Sequence, residues 1–293
     1  MTVRSRIEAF APAKINLFLH VGDTRADGYH ELESIAAFVD IGDKLIFERA
    51  DTLSLTIEGP FAQGLAAESD NLVLRAARAL AEYAEHDNPG AKITLIKNLP
   101  VASGIGGGSA DAAAALRGLV RLWDLVDMGP NKARDVAETL GSDVPVCVES
   151  RTAWMHGRGE IVTFARRLPP MLIVLVNPRV AVPTGPVFAA LKTRSGVGMQ
   201  QDRIPYDPNV WGVTDYLAAT ANDLEAPALA IAPVIGEALA ALRAQPDAML
   251  ARMSGSGATC FGFYKDDEAA RFAADAIAAA HPGWWVQTAR VMN

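Results

Sequence analysis

Two α+β domains, 1–160 and 161–293, are what this sequence predicts. Three observations carry that expectation. A strictly alternating segment runs from Phe10 to Val21, short strand-like and helical segments are mixed throughout, and the strand–helix order restarts after Arg166–Pro170.

In the first half, Ala13, Ile15, Leu17, Leu19 and Val21 fall on one face of the alternating segment. Lys14, Asn16, Phe18 and His20 fall on the other, the period-2 signature of a half-buried strand. Short strands are expected at Lys44–Arg49 and Leu53–Ile57. Asp70 is read as the cap of a helix over about Asn71–Glu85, with a strand at Lys92–Ile96. Ser109–Trp123 and Lys132–Leu140 read as helices, the second stopped by Gly141. Val144–Val148 and Ala153–His156 are expected as strands that close this half.

In the second half Met171–Asn177 is a buried strand, followed by helical segments near Val187–Leu191 and Val234–Ala244. Strands Met249–Ser254 and Thr259–Tyr264, a helix Asp267–Ala280 and a strand Trp284–Thr288 complete it. This β-α-β-β-α-β order is the split arrangement of a ferredoxin-like fold. Lys192–Asn209, rich in Gly, Pro and polar residues, is expected to be a mobile loop.

Composition narrows the function. The chain is 50% hydrophobic and 21% charged, which supports a globular core. Its formal charge of −7 disfavours nucleic acid and anionic membranes, so an anionic small molecule would need a local positive field. Cys147 and Cys260 stand outside any CxxC context, and the five histidines are scattered singly. Neither a disulfide framework nor a zinc site is expected, and the N-terminus lacks the apolar stretch of a signal peptide. A cytoplasmic protein is expected, with no nucleic-acid or membrane partner.

The strongest local signal is the run from Leu99 to Ala110, with Gly104, Gly106, Gly107 and Gly108 between a strand and a helix. Such a loop lets backbone N–H groups approach an anion, and the helix N-terminus adds about half a positive charge. No Lys-Ser or Lys-Thr closes it, so it is not a Walker A loop. Ser109 stands where a dinucleotide fingerprint needs its third glycine. The alternative is a tight, closely packed strand-to-helix turn. Ser109 is either an N-cap or a hydroxyl beside the metal–phosphate group. A second cluster, Ser254–Ala258, taken alone is more often a hairpin turn than a site.

Three polar groups exceed what the fold needs. Lys14 and Asn16 share one face of an apolar strand, where a solvated face is the ordinary explanation. Asp143 follows a helix end, where a carboxylate gains nothing from the dipole, although a turn-forming Asp is the plainer account. Arg25–His30 reads as a turn that sets Tyr29 beside His30, an aromatic face and a hydrogen-bonding edge suited to a base.

Together these segments resemble the galactokinase, homoserine kinase, mevalonate kinase and phosphomevalonate kinase (GHMP) superfamily. Pro12–Leu17, Gly104–Ala110 and Ser254–Ala258 match its three motifs in order. Lys14–Leu17, Asp27–Leu32, Asp70–Leu72 and Gly141–Pro145 resemble the diphosphocytidyl-methylerythritol kinases within it. The resemblance spans residues 10 to about 264 and implies a ribosomal protein S5 domain 2-like N-terminal half. It also implies a ferredoxin-like C-terminal half, with the active site between the two.

The resemblance implies transfer of the ATP γ-phosphate, with Mg²⁺, to the 2-hydroxyl of a cytidine-diphosphate-linked methylerythritol. By matched position Lys14 and Asp143 form the catalytic pair, Asp143 accepting the hydroxyl proton and Lys14 holding it ionised. Pro100, Val101, Ala102, Ser103, Gly104, Ile105, Gly106, Gly107, Gly108, Ser109 and Ala110 hold the ATP phosphates. Asn71, Leu72 and Lys97 lie near the adenine. Asn16 contacts the substrate, Tyr29 and Phe188 sandwich the cytosine, and His30 bonds its edge. Ala102 and Ser103 stand where several relatives have glycine, and Gly185 is a departure in the run Val182–Phe188. No Mg²⁺ ligand is named by the resemblance, and a monomer or weak homodimer is expected. Another GHMP kinase acting on a plain alcohol, or a silent nucleotide-binding regulator, are the competing readings.

Overall fold

The computed structural model describes residues 6–65, 70–87, 89–125, 127–165, 167–198 and 210–292. They form two compact α+β units. One takes the described residues up to Ala13, Gly42–Val101 and Gly106–Ser150; the other takes Lys14–Ile41, Ala102–Ile105 and the described residues from Arg151 onward. Two long strands, β1 (Arg6–Thr24) and β2 (His30–Arg49), contribute to both.

In the first unit, Lys44–Arg49 of β2 pairs antiparallel with β4 (Ala91–Ile96), and β4 pairs parallel with β3 (Leu53–Glu58). Four helices follow: α1 (Leu72–Tyr83), α2 (Gly107–Leu122), α3 (Pro130–Glu138) and α4 (Val144–Glu149). Every residue of α2 from Ala110 to Leu116 is buried, because α1, α3 and α4 all pack on it. Gly118 is required by contact: a Cβ there would lie 2.2 Å from the Phe47 ring. The Arg117 guanidinium donates to Cys147 O and Val148 O, satisfying carbonyls that the short α4 cannot satisfy itself.

Two sequence expectations are corrected in this unit. Val144–Val148 is helical, not a strand. Its β-branched run mimics a buried strand, but Pro145 suits a first helical turn and α2 and α3 bury the segment. The cap of α1 is Asn71, whose side chain accepts from Val73 N at 3.0 Å, rather than Asp70.

In the second unit, Ser34–Ala36 of β2 pairs antiparallel with β5 (Ala153–His156), and β5 with β6 (Ile161–Phe164). A four-stranded antiparallel sheet has the order β10-β7-β9-β8, from β7 (Leu172–Asn177), β8 (Ala248–Met253), β9 (Cys260–Tyr264) and β10 (Trp285–Arg290). With α8 (Val234–Arg243) and α9 (Asp267–Ala280) this is the split β-α-β-β-α-β arrangement expected from the sequence. Val174, Val176, Ile235, Leu239, Met253 and Ile277 lie in its core. Three further helices, α5 (Thr184–Ala189), α6 (Val210–Ala218) and α7 (Glu225–Ile231), lie between β7 and α8 in the chain; only α5 was anticipated. Residues 199–209 of the expected mobile loop lie outside the described residues.

Arg252 ties this unit together internally. The residue is 7% exposed, and its guanidinium donates to Leu17 O, Leu217 O, Thr220 O and Thr220 Oγ1. Among the described residues no helix is long and apolar enough to cross a membrane.

Candidate active site

Three of the motifs meet inside the second unit. Lys14 N donates to Ile105 O at 3.0 Å, which fixes β1 against the glycine-rich loop. Ser254 Oγ accepts from Asn16 N (3.1 Å) and donates to Gly104 O (2.9 Å), while Thr259 N donates to Ser103 O (3.0 Å). The Ser254–Ala258 cluster is therefore the brace that holds one flank of the loop. Gly104 is a packing glycine, since a Cβ there would lie 2.3 Å from Ser254 O. Lys14 is 3% exposed and Asn16 2%. Asn16 Nδ2 donates to Ser34 Oγ at 2.8 Å, while its Oδ1 is buried with no hydrogen-bond partner. A buried acceptor left that way costs about 1–3 kcal/mol, which a substrate donor would recover.

The loop backbone is unusual. Ala102 (φ 49°), Gly104 (φ 75°) and Gly106 (φ 63°) all occupy the left-handed region. Ala102, which has a Cβ, is strained there by about 1–2 kcal/mol. Gly106 is the N-cap of α2, so Ser109 is not the cap and sits inside the first turn. Gly108 differs from Gly104: a Cβ added to it meets nothing within 4 Å. Packing does not demand glycine at 108, whereas close approach of a ligand to the helix N-terminus would.

The first unit holds a buried ion cluster behind this turn. Lys97 Nζ donates to Asp43 Oδ2 (2.5 Å) and to Asp111 Oδ2 (2.8 Å), and all three residues are under 5% exposed. Asp43 Oδ1 accepts from Asn98 N (2.5 Å) and Leu99 N (2.9 Å). Burial works against the charge on Lys97, but the facing Asp111 and Asp43 carboxylates outweigh it and raise its pKa. Burial pushes Asp111 up to about 7, against the pull of Lys97. The facing Asp43 carboxylate adds to that rise, and Asp111 Oδ1 has no hydrogen-bond partner. The Lys97 ammonium, matched to a position near the adenine, is thus committed to two carboxylates.

Asp143 is half-buried at the N-cap position of α4 and makes no capping bond with its side chain. This corrects the sequence argument, since a carboxylate at a helix N-terminus does gain from the dipole. Asn71 and Leu72 open α1, with the Asn71 carboxamide used as its cap.

The second unit also brings His30 and Phe188 together, with Tyr29 next to His30 in the chain. Asp27 Oδ1 accepts from Tyr29 N (3.1 Å), and Gly28 has φ 84°, so the turn presents Tyr29 outward, 54% exposed. His30 stacks on Phe188 with centroids 5.7 Å apart and planes 11° from parallel. His30 Nδ1 faces Thr24 Oγ1 at 3.4 Å, which leaves Nε2 for a ligand. The Arg158 guanidinium lies 5.4 Å from the Tyr29 centroid, a contact that sequence reasoning missed. Asp43 and Asp111 were missed as well, although Asp111 is the one charge in the buried run Ala110–Leu116. Among the described residues no group of three His, Cys, Asp or Glu side chains could hold a metal ion. Mg²⁺ that arrives on a nucleotide draws most of its ligands from phosphate and water, so the site chemistry does not require a cage.

Residues 71–151 match the model of the GHMP kinases N terminal domain, and residues 215–283 that of the GHMP kinases C terminal. The chain belongs to the GHMP kinase family. It is 54% identical over 287 residues to the 4-diphosphocytidyl-2-C-methyl-D-erythritol kinase of Cereibacter sphaeroides, covering 98% of this chain and 99% of that one. Its identity to the kinase of the same name from Paramagnetospirillum magneticum is 50% over 284 residues, covering 97% and 98%. A solved 4-(cytidine 5'-diphospho)-2C-methyl-D-erythritol kinase superposes with a TM-score of 0.75 at 32% identity, covering 98% of this chain and 100% of that one. Homoserine kinase from Cytophaga hutchinsonii, at 17% identity and a TM-score of 0.74 over 100% and 96% of the two chains, shares the fold.

Proposed function

We propose that this chain phosphorylates the 2-hydroxyl of 4-diphosphocytidyl-2-C-methyl-D-erythritol with ATP, a step of isoprenoid precursor biosynthesis. The observation that carries this reading is the hydrogen-bonded meeting of Lys14–Asn16, Ser103–Ile105 and Ser254, together with the aromatic group at Tyr29, His30 and Phe188. The curated relatives of that name, matched along nearly the whole chain, support it.

In this mechanism the N–H groups of the loop and of the first turn of α2 hold the ATP phosphates. Asp143 orients the attacking hydroxyl and takes its proton as the oxygen bonds to the γ-phosphorus and ADP leaves. Lys14 offsets the charge on the transferring group. Bound with ATP, Mg²⁺ supplies further neutralisation. Asn16 Oδ1 accepts a substrate hydrogen bond, Tyr29 and Phe188 stack the cytosine, and His30 Nε2 reads its edge.

A phosphoryl-transfer assay with ATP against this substrate, mevalonate and homoserine tests the reading. Tyr29→Ala is expected to weaken cytidine-substrate binding by about 1–3 kcal/mol, the worth of a base–aromatic stack, with ATP affinity unchanged. Preference for a plain alcohol would make the chain a different GHMP kinase. ATP binding without transfer to any of them would make it a regulator.

Gly108→Ala separates anion binding from packing. The substitution removes a helical glycine without a clash, so stability should rise by about 0.4–1 kcal/mol. ATP affinity, by titration, should fall at least about tenfold. Unchanged affinity would reduce this stretch to a packing turn.

A further inference from the structure

The glycine-rich loop starts after Leu99 and ends where α2 begins at Gly107, and both of these points rest on the same three buried side chains. We propose that Asp43, Lys97 and Asp111 are positioning residues that staple the start of the loop to its end and so aim the N–H groups of α2 at the nucleotide. This inference rests on the reading of that loop as the ATP phosphate cradle.

At the start, Asp43 Oδ1 accepts from Asn98 N and Leu99 N. At the end, Asp111 lies one helical turn beyond Gly107 and accepts from Lys97 Nζ. The ammonium also lies beside the first residue of the helix, since a Cβ on Gly107 would be in ordinary contact with it, 3.4 Å from Nζ and 3.7 Å from Asp43 Oδ2. Lys97 is the bolt, bonded to one carboxylate from each end.

The stretch held between these points does not keep its shape by its own propensity. Ala102 is in the left-handed region, as are Gly104 and Gly106, so the free loop would sample other conformations. Stability alone does not account for the cluster either. Well-packed apolar side chains commonly stabilise as much as a buried ion triad, and Asp111 Oδ1 is left without a hydrogen-bond partner at 3% exposure. What charged groups add here is direction, because each bond ends on the loop's margins or on the helix that receives the phosphates. None of the three need touch ATP for this role.

The test compares Asp111→Leu, which removes the acceptor, with Asp111→Asn, which keeps an oxygen for Lys97. In the full chain Asp111→Leu should raise the ATP dissociation constant and the KM for ATP by about 10–100-fold, the usual effect of misplaced binding groups. Turnover at saturation and the KM for the cytidine substrate should stay within about threefold. Asp111→Asn should restore ATP affinity to within about threefold of the unmodified chain. A folded Asp111→Leu with unchanged ATP affinity, or an Asn variant as impaired as the Leu variant, overturns the staple. If Asp111→Leu does not fold, amide exchange of the unmodified chain decides. Asn98 and Leu99 N–H should be protected without nucleotide, and exchange at free-peptide rates overturns the proposal. Absence of ATP binding by the unmodified chain sinks the proposed function, whereas ATP binding indifferent to Asp111→Leu sinks the staple alone.

Discussion

Asp143→Asn is expected to lower turnover by about 10²–10⁴-fold, the usual contribution of a positioned general base. Both Michaelis constants should move little, because the lost proton acceptor matters chiefly in the transition state. The substitution is unusually clean at this position. Asp143 stands at the N-cap of α4 without a capping bond from its side chain. Asn therefore keeps the shape and gives up only the charge–dipole gain of about 0.3–1 kcal/mol, too little to disturb the fold. Steady-state kinetics with circular dichroism as a control checks both halves of the expectation. Near-normal turnover would leave Asp143 as a helix-initiating residue and nothing more. Lys14→Met removes charge compensation from the same transfer and should lower turnover as well.

The second large effect is on stability. Asp43→Ala strips the carboxylate that accepts from Lys97 Nζ, Asn98 N and Leu99 N. Lys97 keeps only Asp111, one of whose carboxyl oxygens has no hydrogen-bond partner. Breaking a buried pair from one side costs about 3–5 kcal/mol, since the remaining charge stays out of water. The melting temperature should fall on the order of 10 °C at roughly 2–4 °C per kcal/mol. A loss under about 1 kcal/mol in denaturant unfolding would mean that water reaches the ammonium.

Much of this architecture could be read before any coordinates. Helix α9 lies at Asp267–Ala280 as expected. Period-2 alternation put Lys14 and Asn16 on one face of β1, but the half-buried strand it implied is buried on both faces from Ala11 to Gly22, because Lys14, Asn16, Phe18 and His20 are covered as well. The errors have local causes. Val144–Val148 is too short for periodicity to separate strand from helix, and tertiary packing on α2 decided it. His30–Ile41 was passed over as a strand because Ser34–Val39 is continuously buried and does not alternate. At the site, glycine spacing and the aromatic–imidazole pair were legible because their chemistry is local. The staple was not. Asp43, Lys97 and Asp111 come from β2, the end of β4 and α2, and no sequence period links them. The same holds for the Arg158–Tyr29 contact.

The chain order of the second unit has a consequence during synthesis. Lys14–Ile41 is made early, yet its partners are made late. Leu17 O waits for Arg252, Asn16 N for Ser254, and Leu19 N for Ala221 O. Phe38 O accepts from Met292 N, and Asp40 Oδ1 from Arg290 N. At ribosomal speeds of about 5–20 residues per second, roughly 10–50 seconds separate the first strands from these last partners. Ile15, Leu17, Ile35 and Phe38, all fully buried in the finished fold, lack their late-made cover during that interval, although β1 and β2 can already pair with each other. The first unit is under no such delay, because all its described residues precede Arg151. A half-made chain is therefore expected to carry a folded first unit trailed by adhesive strands. Its yield in a cell will depend on the pace of translation and on chaperones that shield those strands until the closing residues emerge.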